Sequence, residues 1–132
     1  PKWFNSLLKN ETVFINGDGE TSRDFCYIEN VIQANVLAGI CENQSIYGEA
    51  FNVAVGGQTT LKELFALIND ELSKNLPTFT KQAPVYRDFR AGDIRHSNAD
   101  ISKAQNLLGY SPTHTINQGM TEAIQWYIEN NG

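Results

Sequence analysis

The chain has 132 residues, of which 41% are hydrophobic and 19% charged, a composition typical of one soluble globular domain. A chain of this length can bury a hydrophobic core without help from disulfides or metal ions. The formal net charge of -5 argues against nucleic acid or an anionic membrane as a partner, because both require a broad positive field.

The first third of the chain predicts two short strands and a helix. Residues 12–16, TVFIN, are rich in β-forming side chains and lead into the glycine-rich turn GDGETS. Residues 24–28, DFCYI, have the character of a second short strand, so we expect a hairpin or two connected strands. Residues 29–42, ENVIQANVLAGICE, are apolar on most sides, which predicts a helix buried against more than one neighbour.

The middle of the chain predicts two more strands on either side of an amphipathic helix. Residues 50–55, AFNVAV, form a β run that ends at a glycine pair. The helix TTLKELFALINDELSK follows, with Thr60 and Glu63 in a capping-box pattern at its start. Its predicted inward face consists of apolar residues at helical spacing, namely Leu61, Leu64, Phe65, Ile68 and Leu72. The stretch APVYRDF predicts a strand with Pro84 at its beginning, where proline is tolerated.

Two helices are predicted near the end of the chain. DISKAQNLLGY is a short helix that its glycine terminates, and TINQGMTEAIQWYIEN is a longer one capped by Thr115 and Gln118. We expect Trp126 and Tyr127 of the longer helix to pack in the core. Strand and helix are mixed along the whole chain, which indicates an α/β layer domain.

The arginines are confined to two short segments. Three of the four lie in VYRDFRAGDIRH, and the fourth, Arg23, lies in TSRDFCY. A guanidinium pairs bidentately with phosphate oxygens and keeps its charge, so two arginines from separate loops could clamp a diphosphate. Asp93 could accept hydrogen bonds from a ribose diol. The alternative is that each arginine pairs with a nearby surface carboxylate such as Asp24, Asp88 or Asp93, and the residues alone leave both readings open.

Other motifs carry weaker signals. NGDGETSR is closer to a turn than to a phosphate-binding loop, and AVGGQTTL fits an ordinary strand-to-helix connection. His96 and His114 lie in no metal-ligand spacing, and no nucleophile motif is present. Cys26 and Cys41 predict buried, reduced thiols in a cytoplasmic protein. No apolar run approaches the roughly 18 residues of a membrane-spanning helix.

Taken in order, several segments resemble a known family: VFINGDGETSRDFCYIENVIQAN, FNVAVGG and YRDFRAGDIRHSNADISKAQNLLGY. The chain resembles the C-terminal portion of NAD-dependent nucleotide-sugar epimerases of the extended short-chain dehydrogenase/reductase family, and most closely the bacterial UDP-N-acetylglucosamine 4-epimerases. The resemblance implies an α/β fold, the C-terminal part of a Rossmann-type enzyme. Residues 1–132 would form one UDP-sugar-binding portion, mainly the substrate-binding subdomain with one strand and flanking helices of the parallel sheet.

The same resemblance implies roles for the residues of the two arginine segments. Arg23 and Arg90 match the two arginines that contact the UDP diphosphate, and Asp93 matches the acidic residue near the uridine ribose. Arg95 is a secondary candidate for substrate binding, whereas Arg87 is expected to be structural.

Two further positions are implied to border the substrate. Trp3, with Pro1, lies in the segment that borders the uracil. Ser97 occupies the gatekeeper position at the sugar pocket, where a small residue leaves room for a 2-acetamido group. The expected substrates are therefore UDP-N-acetylglucosamine and UDP-N-acetylgalactosamine.

The chain departs from the family in what it lacks. The dinucleotide-binding glycine motif and the catalytic Tyr-x-x-x-Lys pair are absent from the sequence. We therefore expect a piece of a larger enzyme that contains no catalytic, NAD-binding or metal-binding residue and is inactive alone. Its expected partners are a UDP-sugar and either the missing NAD-binding half or a second copy of the chain. Two alternatives stay open: another UDP-sugar-modifying enzyme, such as a decarboxylase, dehydratase or uronate epimerase, and a non-catalytic nucleotide-sugar-binding module.

Overall fold

The structure, a computed structural model, describes residues 1–131. Within these residues the backbone forms five α-helices, five short strands and one 3-10 turn. In chain order they are α1 (Lys2–Leu8), β1 (Phe14–Asn16), β2 (Ser22–Arg23), α2 (Ile28–Ile40), the 3-10 turn (Gln44–Ile46), β3 (Thr59–Thr60), α3 (Leu61–Asn75), β4 (Val85–Arg87), β5 (His96–Ser97), α4 (Ser102–Leu108) and α5 (Ile116–Asn131). None of the described helices has both the length and the apolar character needed to cross a membrane.

The strands form two small sheets. β1 pairs in parallel with β4, while β2 lies between β3, to which it is antiparallel, and β5, to which it is parallel. Of the two arrangements expected here, the hairpin is wrong, because β1 and β2 belong to different sheets. They are two connected short strands, and each pairs with strands far along the chain. The second strand also begins earlier than predicted, at Ser22, and residues 24–27 form no ladder. Gly17 and Gly19, both with φ near +80°, turn the chain between the two sheets.

The larger core lies between α1, α3 and α5 and against β1. Its most deeply buried members are Ile15, Leu72 and Ile124. The predicted capping box of α3 is confirmed: the Thr60 hydroxyl accepts a hydrogen bond from the Glu63 amide at 3.1 Å, and the Glu63 carboxylate accepts one from the Thr60 amide at 2.8 Å. The Thr60 hydrogen bonds lower the pKa of the Glu63 carboxyl. The apolar periodicity of α3 therefore marks its buried face correctly.

The smaller core lies between α2, α4 and residues 51–54. Tyr110 is buried there, and its hydroxyl donates a hydrogen bond of 2.7 Å to the Ala54 carbonyl. Burial raises the pKa of Tyr110. Asn30 is also fully buried. Its carboxamide oxygen accepts hydrogen bonds from the amides of Thr113 and His114, which satisfies the buried oxygen and joins α2 to the segment before α5.

The predicted strand at residues 50–55 is wrong for this chain. A strand is defined by hydrogen bonds to a neighbouring strand, and none of the described strands pairs with this segment. Side chains satisfy some of its backbone groups instead: Asp24 accepts the amides of Val55 and Gly56, and Tyr110 donates to Ala54. The segment is apolar as predicted, but an apolar pattern does not specify a pairing partner.

Two burial predictions also fail. α2 was expected to be covered on more than one side, yet Ile28, Ile32, Val36 and Ile40 are 46–70% exposed. These four residues, spaced four apart, are called the α2 stripe below. Trp126 was expected in the core but is 59% exposed, whereas Tyr127 stacks on Phe4 with ring centroids 4.2 Å apart.

The cysteines were expected to be buried. Both are free and only half-buried in the part of the chain that the structure describes. The Cys26 thiol lies beside Tyr110 and Asn30, and burial raises its pKa.

Candidate functional site

The pairing of β2 with β5 brings the two arginine segments together. Arg23 is the register partner of Ser97, and Ser22 is the register partner of His96. Because side chains alternate along a strand, Arg23 and Ser97 belong to one face of the sheet, and Ser22 and His96 to the other. On that second face the Ser22 hydroxyl oxygen and His96 Nδ1 lie 2.9 Å apart, within hydrogen-bonding distance.

Arg23 is held by two contacts. One terminal nitrogen donates to the carbonyl of Ser22 at 2.7 Å, and the other pairs with Oδ1 of Asp93 at 2.5 Å. The partner of Arg23 is thus a carboxylate 70 residues away in the sequence. The surface ion pair anticipated as an alternative therefore exists, but it joins the two segments and is not local to either one.

Arg95 makes a second ion pair, with Asp18 in the glycine turn before β2. Its guanidinium donates to Oδ2 of Asp18 at 2.6 Å, and Oδ1 of Asp18 accepts the Glu20 amide at 3.0 Å. The hydrogen bonds from Arg95 and Glu20 lower the pKa of the Asp18 carboxyl. The segment 85–96 therefore supplies an arginine to one ion pair and a carboxylate to the other, and the partners of both lie in residues 18–23. Asp18 was not singled out from the sequence, where its only signal is a carboxylate between two glycines.

Arg90 and Arg87 have different surroundings. Arg90 is exposed, and its guanidinium makes no hydrogen bond or ion pair with any described residue. It stands at the start of a turn in which the Asp93 amide donates to the Arg90 carbonyl at 3.2 Å. Arg87 instead lies over the ring of Phe14, with its guanidinium carbon 3.2 Å from the ring centroid. This ring contact agrees with the structural role predicted for Arg87.

Trp3 lies apart from the sheet, on α1. It is half-buried and packs edge-on against Phe65, with ring centroids 6.0 Å apart. Trp3 and Pro1 line one side of a largely apolar cavity of about 470 Å³, and Phe25 and Tyr27 line another side. The cavity therefore joins α1 to the segment that directly follows Arg23. The structure places Trp3 beside this cavity and does not bring it into contact with an arginine.

The residues predicted as a diphosphate site lie in neighbouring elements of the fold. Arg23, Arg90, Asp93, Arg95 and Ser97 all belong to β2, β5 and the turn before β5. The guanidinium groups of Arg23 and Arg95 are paired with carboxylates, whereas that of Arg90 is paired with none that the structure describes. Among the described residues, no three His, Cys, Asp or Glu side chains gather as a metal site requires.

Comparison with known proteins places this arrangement in a family. The family model described as GDP-mannose 4,6 dehydratase matches residues 3–123. A putative UDP-glucose 4-epimerase of Methanocaldococcus jannaschii is 31% identical over 129 residues, which are 98% of this chain and 38% of that protein. A similar solved structure is that of a UDP-N-acetylglucosamine 4-epimerase from Methanobrevibacter ruminantium M1, in complex with UDP-N-acetylmuramic acid. Its sequence is 34% identical to this chain, and the TM-score between the two structures is 0.83. That match covers 98% of this chain and 38% of the other.

A third comparison bears on the cofactor. The UDP-glucuronic acid 4-epimerase of Bacillus cereus, in complex with UDP-glucuronic acid and NAD, is 28% identical with a TM-score of 0.77, covering 96% of this chain and 38% of the other. The predictions of the fold class and of NAD as the family's cofactor are confirmed.

The fold and these relatives define the class, which is the C-terminal, substrate-binding part of the extended short-chain dehydrogenase/reductase sugar epimerases. The chain belongs to the GDP-mannose 4,6 dehydratase family. It spans about 38% of the length of the relatives described above.

Proposed function

We propose that this chain is the UDP-sugar-binding portion of an NAD-dependent epimerase that interconverts UDP-N-acetylglucosamine and UDP-N-acetylgalactosamine at C4. The observation that carries the proposal is the meeting of the two arginine segments at β2 and β5, with Arg90 unpaired among the described residues. A diphosphate requires cationic donors from more than one direction, and arginine provides them in a planar fork.

The proposed diphosphate site uses Arg23 and Arg90. Arg90 belongs to the same turn as Asp93, and Asp93 contacts Arg23, so the turn connects the two arginines. Arg90 brings a positive charge that no described carboxylate offsets, which favours an anion at this turn. Asp93 is then suitably placed to accept hydrogen bonds from the ribose hydroxyls. In this proposal Arg95, already paired with Asp18, contributes mainly by holding the two segments together.

The proposed uracil site is the cavity beside Trp3. Its aromatic and aliphatic lining suits the flat, weakly polar face of a pyrimidine. Phe25, two residues after Arg23, lines this cavity, which supports a base bound next to the diphosphate.

The proposed preference for acetamido sugars rests on Ser97. Its side chain is small and exposed, and it belongs to the same sheet face as Arg23. We expect Ser97→Tyr to weaken the binding of UDP-N-acetylglucosamine by about 1–3 kcal/mol, the usual cost of overfilling a packed site. UDP-glucose and UDP should lose much less affinity. Calorimetric titration of the three ligands measures the difference.

Asn98→Tyr is the matched control for this substitution. It adds the same side chain to an exposed position one residue further along the chain. An equal loss for both UDP-sugars, or an equal loss in both variants, would remove Ser97 as the gatekeeper. That outcome would favour one of the other UDP-sugar-modifying activities.

The glycine-containing connection before α3 does not fit a second role in holding NAD. A dinucleotide diphosphate needs free amides at a glycine turn or a helix N-terminus. The capping box of α3 occupies the amides of Thr60 and Glu63, and Asp24 occupies those of Val55 and Gly56. We therefore assign NAD and the catalytic pair to a part of the complete enzyme outside these residues, and we expect no turnover from this chain alone.

The α2 stripe is the proposed contact surface for that NAD-binding half. Its four aliphatic side chains face away from Ala34 and Leu37, which pack in the smaller core, so α2 is apolar on two opposite sides. A contiguous exposed stripe of this kind marks an interaction surface. Since the chain spans about 38% of its relatives' length, the complete enzyme has ample sequence to cover it.

Without that half, the α2 stripe should drive self-association. We expect sedimentation of this chain at micromolar concentration to show dimers or larger species, and Ile32→Glu to reduce them by placing a charge in the contact. Ala38→Glu adds the same charge to an exposed position of α2 outside the stripe and should change little. A chain that is already monomeric at this concentration would contradict the role of the stripe.

A further inference from the structure

The carboxylate of Asp93 covers Arg23 in the structure. The side chains of Arg23 and Asp93 are 30% and 35% exposed, and their ion pair spans 2.5 Å. The second terminal nitrogen of Arg23 is occupied by the Ser22 carbonyl. An anion that approaches Arg23 therefore meets a neutralised guanidinium and must compete with the carboxylate already bound to it.

The Asp93 carboxylate accepts no hydrogen bond from a described backbone amide, unlike several other carboxylates in the structure. Asp18, Asp24, Glu63 and Asp100 each accept at least one hydrogen bond from a backbone amide. Among the described residues, the Asp93 carboxylate is bound by Arg23 alone. It stands on an exposed turn where Gly92 has a φ of +78°. Such a carboxylate can leave its partner without breaking a backbone hydrogen bond.

We propose that Asp93 makes the arginine pair selective for nucleoside diphosphates over inorganic phosphate and pyrophosphate. This inference rests on the proposed function, because it requires a ribose next to the diphosphate. A nucleoside diphosphate displaces Asp93 from Arg23 and offers it two ribose hydroxyls as new donors. Pyrophosphate also displaces Asp93 from Arg23 but has no hydroxyl donors, so the Asp93 carboxylate loses its only partner. Selectivity thus arises from a penalty on the wrong ligand as well as from contacts to the right one.

The test is the Asp93→Asn variant titrated with pyrophosphate and with UDP. Removing the competing charge should tighten pyrophosphate binding about two- to fivefold, the range expected for an exposed ion pair. Removing the ionic acceptor for the ribose should weaken UDP binding about tenfold, as for a lost hydrogen bond to a charged group. The expected signature is a pair of changes with opposite signs, read by calorimetry on this chain.

Asp88→Asn is the matched control. It removes the same charge from the same loop, and Asp88 has no ion pair or hydrogen bond from its side chain among the described residues. A general effect of net charge on anion binding would raise the affinity for pyrophosphate equally in both variants, which would overturn the inference. Thermal unfolding of both variants checks that the pairing of β2 with β5 is retained.

The remaining outcomes separate the inference from the proposed function. If Asp93→Asn weakens pyrophosphate binding or leaves it unchanged, Asp93 is not a competitor and the inference is wrong, whatever happens with UDP. If the unaltered chain binds pyrophosphate but not UDP, it has no selectivity for nucleoside diphosphates, and both the proposed function and the inference are wrong. If the unaltered chain and both variants bind neither ligand, both proposals are wrong.

Discussion

Arg90→Ala is expected to weaken UDP binding by about 2–4 kcal/mol, the cost of losing a charge-assisted hydrogen bond to phosphate. The guanidinium of Arg90 is exposed and makes no hydrogen bond or ion pair with a described residue, so its removal should leave the free energy of unfolding nearly unchanged. Calorimetric titration with UDP measures the first quantity, and urea unfolding measures the second. A loss of affinity without a loss of stability would identify Arg90 as a ligand-binding residue.

Arg87→Ala is the matched control for this prediction. Arg87 lies three residues before Arg90, but its guanidinium rests on the Phe14 ring. Its removal should cost a little stability through that cation–π contact and should hardly change the affinity for UDP. Equal losses of affinity in the two variants would show that the two arginines have been assigned wrongly. Unchanged affinity in Arg90→Ala would exclude the diphosphate role.

Leu72→Ala is expected to destabilise the protein by about 2–5 kcal/mol, the range for emptying a packed leucine site. Leu72 is completely buried on α3, where it belongs to the core cluster shared with α1, α5 and β1. Chemical unfolding measures the loss. The affinity for UDP should be unchanged under conditions in which the variant is folded, because Leu72 lies among core residues and not in β2 or β5.

Leu107→Ala provides the comparison for the same chemical change on another helix. Leu107 on α4 is 37% exposed, so its truncation leaves no closed cavity and should cost less than about 1 kcal/mol. If both leucine variants lost the same free energy of unfolding, α3 would not be the centre of the core.

The helices were largely predictable from the sequence because their signals are local. The capping pair Thr60 and Glu63 lies within one turn, and the apolar spacing of α3 lies within one helix. Gly109 likewise ends α4 in the left-handed conformation that glycine favours. Patterns confined to one element can be recognised without knowledge of any tertiary contact.

The strands and the coverage of α2 were less predictable because they depend on distant partners. Residues 50–55 have a β-forming composition, yet no described strand pairs with them, and the α2 stripe is largely exposed. A short sequence window reports how apolar a segment is, but not which element will cover it. The predicted burial of Trp126 is wrong for the same reason.

In the site, too, the residue types were predictable from the sequence and their distant partners were not. Residue type alone identified the arginines as candidates for binding an anion, because few other side chains fit a diphosphate. Their ion-pair partners could not be read from the sequence, since Arg23 and Asp93 are 70 positions apart and Asp18 and Arg95 are 77 apart. The pairing of β2 with β5 creates both contacts, and that pairing is itself a tertiary event.

The most direct test of the proposed function is a calorimetric titration of UDP into this chain, with the Arg23→Ala/Arg90→Ala double variant as the reference. The account predicts saturable binding of one UDP per chain, abolished in a double variant that keeps its helical circular dichroism. The same titration after adding the NAD-binding half of a relative should give tighter binding. A folded chain that shows no saturable binding of UDP, with or without that half, would contradict the account.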